Sequence, residues 1–309
     1  LLAKRFPKMR LLIIVNSIVA QTHPEQVEKA IRLLRNSCVE SRVTETGKPV
    51  EATKIALRAR YDDIDRVVVI GGDGTINEVV NGLVGSKIPI AVIPLGTGNT
   101  FATNFHIPLS LHEACEVAVG SNIISIDVGL LNHRYFACVA GIGFDAHVLH
   151  QLQPTFKRRF GKWAYAIASL RHLLRYRPSL VEVRIDGWER FKTDAWLTVI
   201  SNVPTYALNF KFTPKASPCD GYIDVCIFFA RSRIERLKQA ALSLLGYHVH
   251  LNSVLYRRAK WLELVSSPRV LAHVDGEPIC LTPVSARVIP HSLNVVVPKD
   301  WADTAKVVQ

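Results

Sequence analysis

Three strand-like runs in this chain empty directly into glycine clusters, a junction that admits few folds. "RVVVI" leads into "GGDGTINE" (residues 71–78), "IPIAVIPL" into "GTGNTFA" (96–102), and "YFACVA" into "GIGFDA" (141–146). A β-branched run that ends in glycine and passes into an amphipathic segment is the mark of a parallel β-α unit. Glycine there permits positive φ and close approach, so successive amides can face an anion while the following helix adds its positive end. Two such junctions in one α/β segment point to phosphate binding. The third has the spacing of a dinucleotide fingerprint, but "FGKWAY" stands where an acidic residue for a ribose belongs. It reads as a tight turn between packed elements. No G-x-x-x-x-G-K-[ST] occurs, which argues against a P-loop nucleotidase.

Around these junctions, strands are expected at 11–15, 66–70, 88–93 and 123–128. Thr22 with Glu25 forms a capping-box pattern ahead of Val27, Ile31, Leu34 and Cys38 at helical spacing. Ser110 with Glu113 repeats the device, and Gly120 is a stop signal. After about Tyr135 the texture changes. "LVEVRIDGWERF", "DAWLTVIS", "GYIDVCIFF", "WLELVSS" and "SLNVVVP" are short strands, with Asp186-Gly187 as a hairpin signal. That half reads as mainly antiparallel β, interrupted by helical segments at 161–177 and 234–245.

At 309 residues, two domains are expected. Six scattered cysteines without a C-x-x-C suit reduced, buried thiols in a cytosolic protein. No apolar stretch reaches the roughly 18–20 residues that span a bilayer, and "LLAKRFPKMRLLIIVN" reads as a first strand rather than a signal peptide. The net charge of +12 favours an acidic partner.

Asp73 stands inside the first glycine cluster. An unpaired carboxylate facing a triphosphate costs on the order of several kcal/mol at low dielectric. A divalent cation between them removes the repulsion, since Mg²⁺ takes one or two carboxylates plus phosphate oxygens. The same aspartate also suits the cap of a helix beginning near Thr75. Both readings stand.

"GGDGTINEVVNGL", "IPLGTGNTFATNF", "DVGLLNHRYFACVAGIGFDA", "RRFGKWAYAIASLRHLL", "PKASPCDGYIDV" and "HVDGEP" occur in this order. Together they resemble the soluble bacterial diacylglycerol kinase and lipid kinase family, relatives of the sphingosine and ceramide kinases. The likeness runs from about Arg10 to Pro298. NAD kinases share the GGDGT loop, whereas "PLGTGN", "FGKWAY" and "DGYIDV" belong to the lipid-kinase side. The resemblance implies an α/β nucleotide-binding domain at 1–133, NAD-kinase-like and three-layered. It implies a mainly antiparallel β-sandwich domain at 134–309, its last segment packing back on the first, with the active site between them.

The same resemblance implies ATP contacts from Gly71, Gly72, Asp73, Gly74, Thr75, Asn77 and Glu78 in the first loop. Gly96, Thr97, Gly98 and Asn99 follow in the second, with Thr46 in "VTETGKPVEA", Asn16 at the first-strand exit, and Arg158. The family usually has N-P-x-x-G at that exit; "NSIVAQ" lacks both proline and glycine, so this loop is shaped differently. Another departure is "NVPTYALNFKF", where the family has a glycine cluster.

Carboxylates complete the implied chemistry. On residues alone, the D-G-E of "VDGEP" is a hairpin turn, while an extended backbone would point Asp275 and Glu277 to one side. The resemblance puts the pair at the γ-phosphate and acceptor hydroxyl, with Glu277 favoured as proton acceptor and Asp275 as its metal- or water-linked neighbour, the reverse remaining open. Asp127 and Asp73 are expected to join them through water and Mg²⁺. A second, structural Mg²⁺ is implied at the Asp220 carboxylate and the main-chain carbonyls of Ser217 and Tyr222.

"FKRRFGKWAYAIASLRHLLRYR" carries seven Lys or Arg, with Trp163, Ile167, Leu170 and Leu174 as one helical stripe. Such a stripe usually faces a core; basic charge beside it also suits an anionic membrane surface. The expectation is therefore an ATP- and Mg²⁺-dependent lipid kinase, cytoplasmic and peripherally membrane-associated. It would act on diacylglycerol or a similar neutral lipid, with no nucleic-acid partner and with a homodimer allowed. Its rivals are an NAD kinase and a non-catalytic nucleotide- or lipid-binding regulator.

Overall fold

The computed structural model describes residues 9–38, 40–151, 163–173, 175–206, 209–230 and 232–308, with the backbone alone for 163–166 and 305–308. The chain forms two compact units, Leu1–Ile126 with His291–Gln309, and Asp127–Pro290.

Unit 1 alternates strand and helix as the sequence demands. Its elements are β1 (Arg10–Asn16), α1 (Ser17–Thr22), α2 (Pro24–Arg35), β2 (Glu40–Thr46), α3 (Glu51–Ala59), β3 (Arg66–Gly71), α4 (Asp73–Leu83), β4 (Ile90–Pro94), α5 (Thr100–Asn104) and α6 (Leu111–Ala118). The strands lie parallel in the order β2-β1-β3-β4. β3 and β4 are buried along their whole length, as continuous apolar strands covered on both faces must be. Gly82 lets α3 close on α4, since a Cβ there would lie 2.8 Å from the Thr53 carbonyl oxygen.

Two local expectations change. Thr22 ends α1, its hydroxyl donating to the Ile18 carbonyl, and α2 opens at Pro24 with no side-chain cap. Proline's preset φ, not a capping box, starts that helix. β2 was not expected at all: "ESRVTET" buries only Thr46, because an edge strand has one neighbour and keeps a polar face.

β5 (Ile123–Leu131) carries the chain into unit 2. There follow β6 (Arg134–Phe136), β7 (Val139–Gly143), α7 (Phe144–Gln151), α8 (Trp163–Leu173), β8 (Ser179–Ile185), β9 (Glu189–Ala195), β10 (Leu197–Ser201), β11 (Ile223–Phe228) and α9 (Arg233–Ser243). Then come β12 (Val254–Ala259), β13 (Trp261–Ser267), β14 (Leu271–Val274), β15 (Glu277–Leu281) and β16 (Val284–Val296). One sheet runs β12-β11-β10-β7-β14-β15, antiparallel throughout, and in this unit β16-β13-β8-β9 forms another. Val183, Leu262 and Ala286 of the second share a core with Ile142, Ile200 and Val225 of the first, which makes a β-sandwich. The alternating burial of β8 is the sequence signature of such a face.

The run "SLNVVVP" stands apart from the other strands of the second half. It is the far end of β16, it belongs to unit 1, and Val295 pairs parallel with Ile90 there. α10 (Lys299–Val308) follows it, and Trp301 Nε1 donates to the Asn104 carbonyl. All six cysteines are free thiols. Among the described residues no helix is long and apolar enough to cross a membrane.

Candidate active site

In unit 1 the loops after β3 and β4 cross backbone to backbone. A Cβ on Gly72 would sit 3.1 Å from the Gly96 Cα, and one on Gly96 would collide with the Gly72 Cα. Close approach, rather than left-handed backbone, is what demands glycine here. The positive-φ glycines among the described residues are Gly85, Gly143, Gly187, Gly221, Gly246 and Gly276.

Asp73 opens α4, with Gly72 as N-cap and no side chain capping the helix. Its carboxylate reaches across the crossing instead. Oδ2 accepts the Thr100 N–H and Oδ1 the Phe101 N–H, each at 3.1 Å. These are the first amides of α5. Asp73 is thus a helix cap, but for the helix of the other loop, and two amide donors offset its charge without an ion. Gly98 keeps the path open, since a Cβ there would lie 2.8 Å from Asp73 Oδ2. Asn99, at φ 53, turns the second loop and accepts the Gly96 N–H at 3.0 Å. What the crossing offers to a ligand is the uncapped first turn of α4 and the exposed Thr97 and Gly98.

Other residues expected at the nucleotide hold the scaffold together. Asn16 Oδ1 accepts from the Ile18 and Val19 amides, capping α1, while Nδ2 donates to Thr75 Oγ1 at 2.8 Å. "NSIVAQ" accordingly runs into a short helix where a glycine turn would have been. Thr46 is buried and its hydroxyl donates to the Val15 carbonyl. Asn77 is buried as well, its carbonyl and side-chain oxygens accepting from Asn81. Glu78 divides its carboxylate between the Val50 and Ala52 amides at 3.0 Å each. It caps α3, whose N-cap Val50 is held at φ 66. Thr46, Asn77 and Glu78 thus support the loops through their side chains.

In unit 2, Asp127 is fully buried and organises the loop that precedes β11. Its Oδ2 accepts the Gly221 N–H and its own N–H donates to the Pro218 carbonyl, both at 2.7 Å. Asn202, also fully buried, donates to the Asp127 carbonyl at 2.7 Å. Asp127 therefore goes with Asp220 and the residues around it. Asp220 accepts the Tyr222 N–H at 3.0 Å and Arg258 Nη2 at 2.7 Å, and Arg258 lies over the Tyr222 ring. Burial still raises the Asp220 carboxyl above its usual range, against Arg258, with Asp127 adding to the rise. Asp224, not singled out from sequence, is pushed up to about 6 by burial, with Asp220 adding to the shift despite the bond from Tyr256.

Burial outweighs the cations here: Arg258 acts against both shifts and Lys215 against that of Asp224, yet both carboxyls stay raised. Among the described residues no three His, Cys, Asp or Glu side chains converge on a metal position. An ion there would need main-chain oxygens, and the all-oxygen set of Asp220, Ser217 and Tyr222 suits Mg²⁺.

"HVDGEP" forms the β14–β15 turn. Asp275 (φ 46) and Gly276 (φ 89) take the left-handed pair of a two-residue hairpin, which corrects the extended backbone assumed for Asp275 and Glu277. The Asp275 carboxylate folds back on the chain. Oδ1 accepts the Cys138 and Val139 amides at 3.1 and 2.8 Å, and Oδ2 the Ala137 amide at 3.1 Å. Glu277 is exposed, and its side chain makes no hydrogen bond or ion pair to any described residue.

On α8, Ile167 and Leu170 are 45% and 62% exposed, so these members of the expected stripe do not face a core. Arg158, Lys157, Arg159, Lys162 and Leu174 lie outside the described residues.

Residues 10–131 match the family described as the diacylglycerol kinase catalytic domain. Residues 138–297 match that described as the YegS C-terminal NAD kinase beta sandwich-like domain. A diacylglycerol kinase of Staphylococcus carnosus is 30% identical over 266 residues, which cover 85% of this chain and 87% of that protein. One of Bacillus subtilis is 29% identical over 256 residues, 82% and 84% of the two. A crystal structure of a diacylglycerol kinase from Bacillus anthracis superposes with a TM-score of 0.80 over 95% of this chain and 99% of that one. At 22% identity that likeness shows the fold alone.

Proposed function

The chain belongs to the diacylglycerol kinase family of lipid kinases, enzymes that pass phosphate to an alcohol group, and on that premise we propose that it phosphorylates the free hydroxyl of diacylglycerol or a closely related neutral lipid with Mg²⁺-ATP. One observation carries the assignment of roles. In the "VDGEP" turn Asp275 is held by three amides, while the exposed Glu277 carboxylate has no partner among the described residues.

The lipid hydroxyl gives its proton to Glu277 as its oxygen bonds the γ-phosphorus, and the bond to ADP breaks. Such a carboxylate is worth about 10²–10⁴-fold, with positioning and charge neutralisation supplying the remainder. The first-turn amides of α4, with Thr97 and Gly98, take the phosphates. Mg²⁺, when bound, offsets phosphate charge; Asp73 is the carboxylate nearest that role in unit 1, and Asp220 with the Ser217 and Tyr222 carbonyls would hold the structural ion.

Exposed Ile167 and Leu170 beside Arg171 and Arg175 support reversible contact with an anionic membrane. The test is transfer of labelled γ-phosphate to diacylglycerol in mixed micelles, with other lipid alcohols and NAD as competing acceptors. Product from diacylglycerol, lost in Glu277→Gln, is expected. No lipid product from any acceptor would overturn the proposal.

A further inference from the structure

The third glycine cluster and the histidine of "HVDGEP" have no part in the reaction so far, yet they meet in the core of unit 2. His273 Nε2 lies 2.5 Å from Asp145 Oδ2, and the two side chains are 0% and 2% exposed. Asp145 sits in the first turn of α7, and His273 on β14 pairs with Gly141 of β7. A Cβ on Gly141 would collide with the His273 ring and lie 2.5 Å from Asp145 Oδ2. Glycine at 141 is therefore the condition for the pair to exist. The "GIGFDA" cluster makes room for a buried side-chain contact, and no anion is needed to explain it.

The other ring nitrogen has a partner too. Gly276 N lies 3.2 Å from His273 Nδ1. An amide only donates, so Nδ1 accepts, and the single proton of a neutral ring then sits on Nε2 and is donated to Asp145. Tyr206 stacks over the imidazole, centroids 6.1 Å apart and planes at 24°. The ring is held by two hydrogen bonds and a stacking face.

Gly276 is the residue before Glu277. The turn is gripped twice, by the Asp275 carboxylate on the amides of 137–139 and by His273 on the Gly276 amide. We propose that Asp145 and His273 are a positioning pair: Asp145 fixes the tautomer and orientation of His273, and His273 fixes the direction in which Glu277 leaves the turn. Fully buried, the imidazole touches no substrate. The inference rests on Glu277 being the proton acceptor.

Two variants separate positioning from core filling. His273→Gln keeps an amide donor near the Nε2 position for Asp145 but offers Gly276 no acceptor. His273→Asn sets an oxygen near the Nδ1 position for Gly276 and gives up Asp145. In the micelle assay His273→Gln lowers kcat about 10²-fold, the scale of a misplaced reacting group, with the KM for ATP unmoved. His273→Asn recovers most of that loss. Thermal melts report the folded fraction. Equal kcat in the two folded variants would overturn the pair's role.

Nitrogen-15 imidazole spectra, with the His273 signal identified by its loss in His273→Gln, show a bare Nδ1 and a protonated Nε2. The opposite tautomer would also overturn it. A dead Glu277→Gln beside indifferent His273 variants sinks this inference alone. A fully active Glu277→Gln sinks the proton-acceptor reading and the inference with it.

Discussion

Asp73 and Glu78 of unit 1 are handled in the opposite way to Asp220, Asp224 and Glu277 of unit 2. In unit 1 Asp73 and Glu78 are each satisfied by two backbone amides of a neighbouring helix. The side chains there build the loops, and in the proposed function the backbone meets the ligand. In unit 2 Asp275 is fastened in the same way, but burial raises both Asp220 and Asp224, Asp127 adding to the first and Asp220 to the second, and the Glu277 side chain has no partner among the described residues. A carboxylate capped by amides is a fastener. One without a donor is available for a proton or a cation.

The sharpest way to break this comparison is to exchange the fates of Asp275 and Glu277. Glu277→Gln should lower kcat by about 10²–10⁴-fold with the melting temperature unchanged, since no side-chain contact with a described residue is lost. Asp275→Ala should do the reverse first. Three amides lose a charged acceptor, which costs about 3 kcal/mol or more in a urea titration. If Asp275→Ala were as stable as the parent, the fastener reading of that turn would be wrong.

A smaller effect tests unit 1. Asp73→Ala removes the cap of α5 and should cost about 1–2 kcal/mol whether or not Mg²⁺ is present, and should raise the KM for ATP by loosening the crossing of Gly72 and Gly96. A loss of stability seen only with Mg²⁺ would mean that the ion, and not the Thr100 and Phe101 amides, neutralises Asp73.

These contrasts also mark what the sequence could show. The strand–glycine–helix junctions were legible because burial on both faces writes continuous apolar runs, as in "RVVVI" and "IAVIP". β2 was invisible because an edge strand writes no such run. For the glycines at 72 and 96 the sequence offered positive φ and close approach together, and the structure selects close approach, since a backbone crossing and a positive φ favour the same residue. The cap of α3 by Glu78, the cap of α5 by Asp73 and the Asp145–His273 pair were beyond reach. Their partners lie 26, 27 and 128 residues apart, and local patterns carry nothing about which donor a folded chain brings to which acceptor.

The smallest effect concerns the acidic loop of unit 2. The folded-state pKa of Asp224, about 6, exceeds the ordinary carboxylate value of about 3.9. Between those values the folded protein holds a proton that the unfolded chain has lost, so stability falls as pH rises from about 4 to about 6, and the penalty is complete above that. Asp224→Asn keeps an acceptor for the Tyr256 hydroxyl and removes the charge. The shift sets a ceiling near 3 kcal/mol, and relaxation around the site makes about 1 kcal/mol the expected gain at pH 7.5. Thermal melts at pH 4 and 7.5 in chelator should show the gain only at the higher pH. Added Mg²⁺ should raise the melting temperature of the parent and narrow the gap to Asp224→Asn, because an ion on Asp220 offsets the same excess charge. With Asp220→Ala the Mg²⁺ response should vanish. A gap that persists unchanged in saturating Mg²⁺ would take the ion away from this loop and leave Arg258 as the cation it was built around.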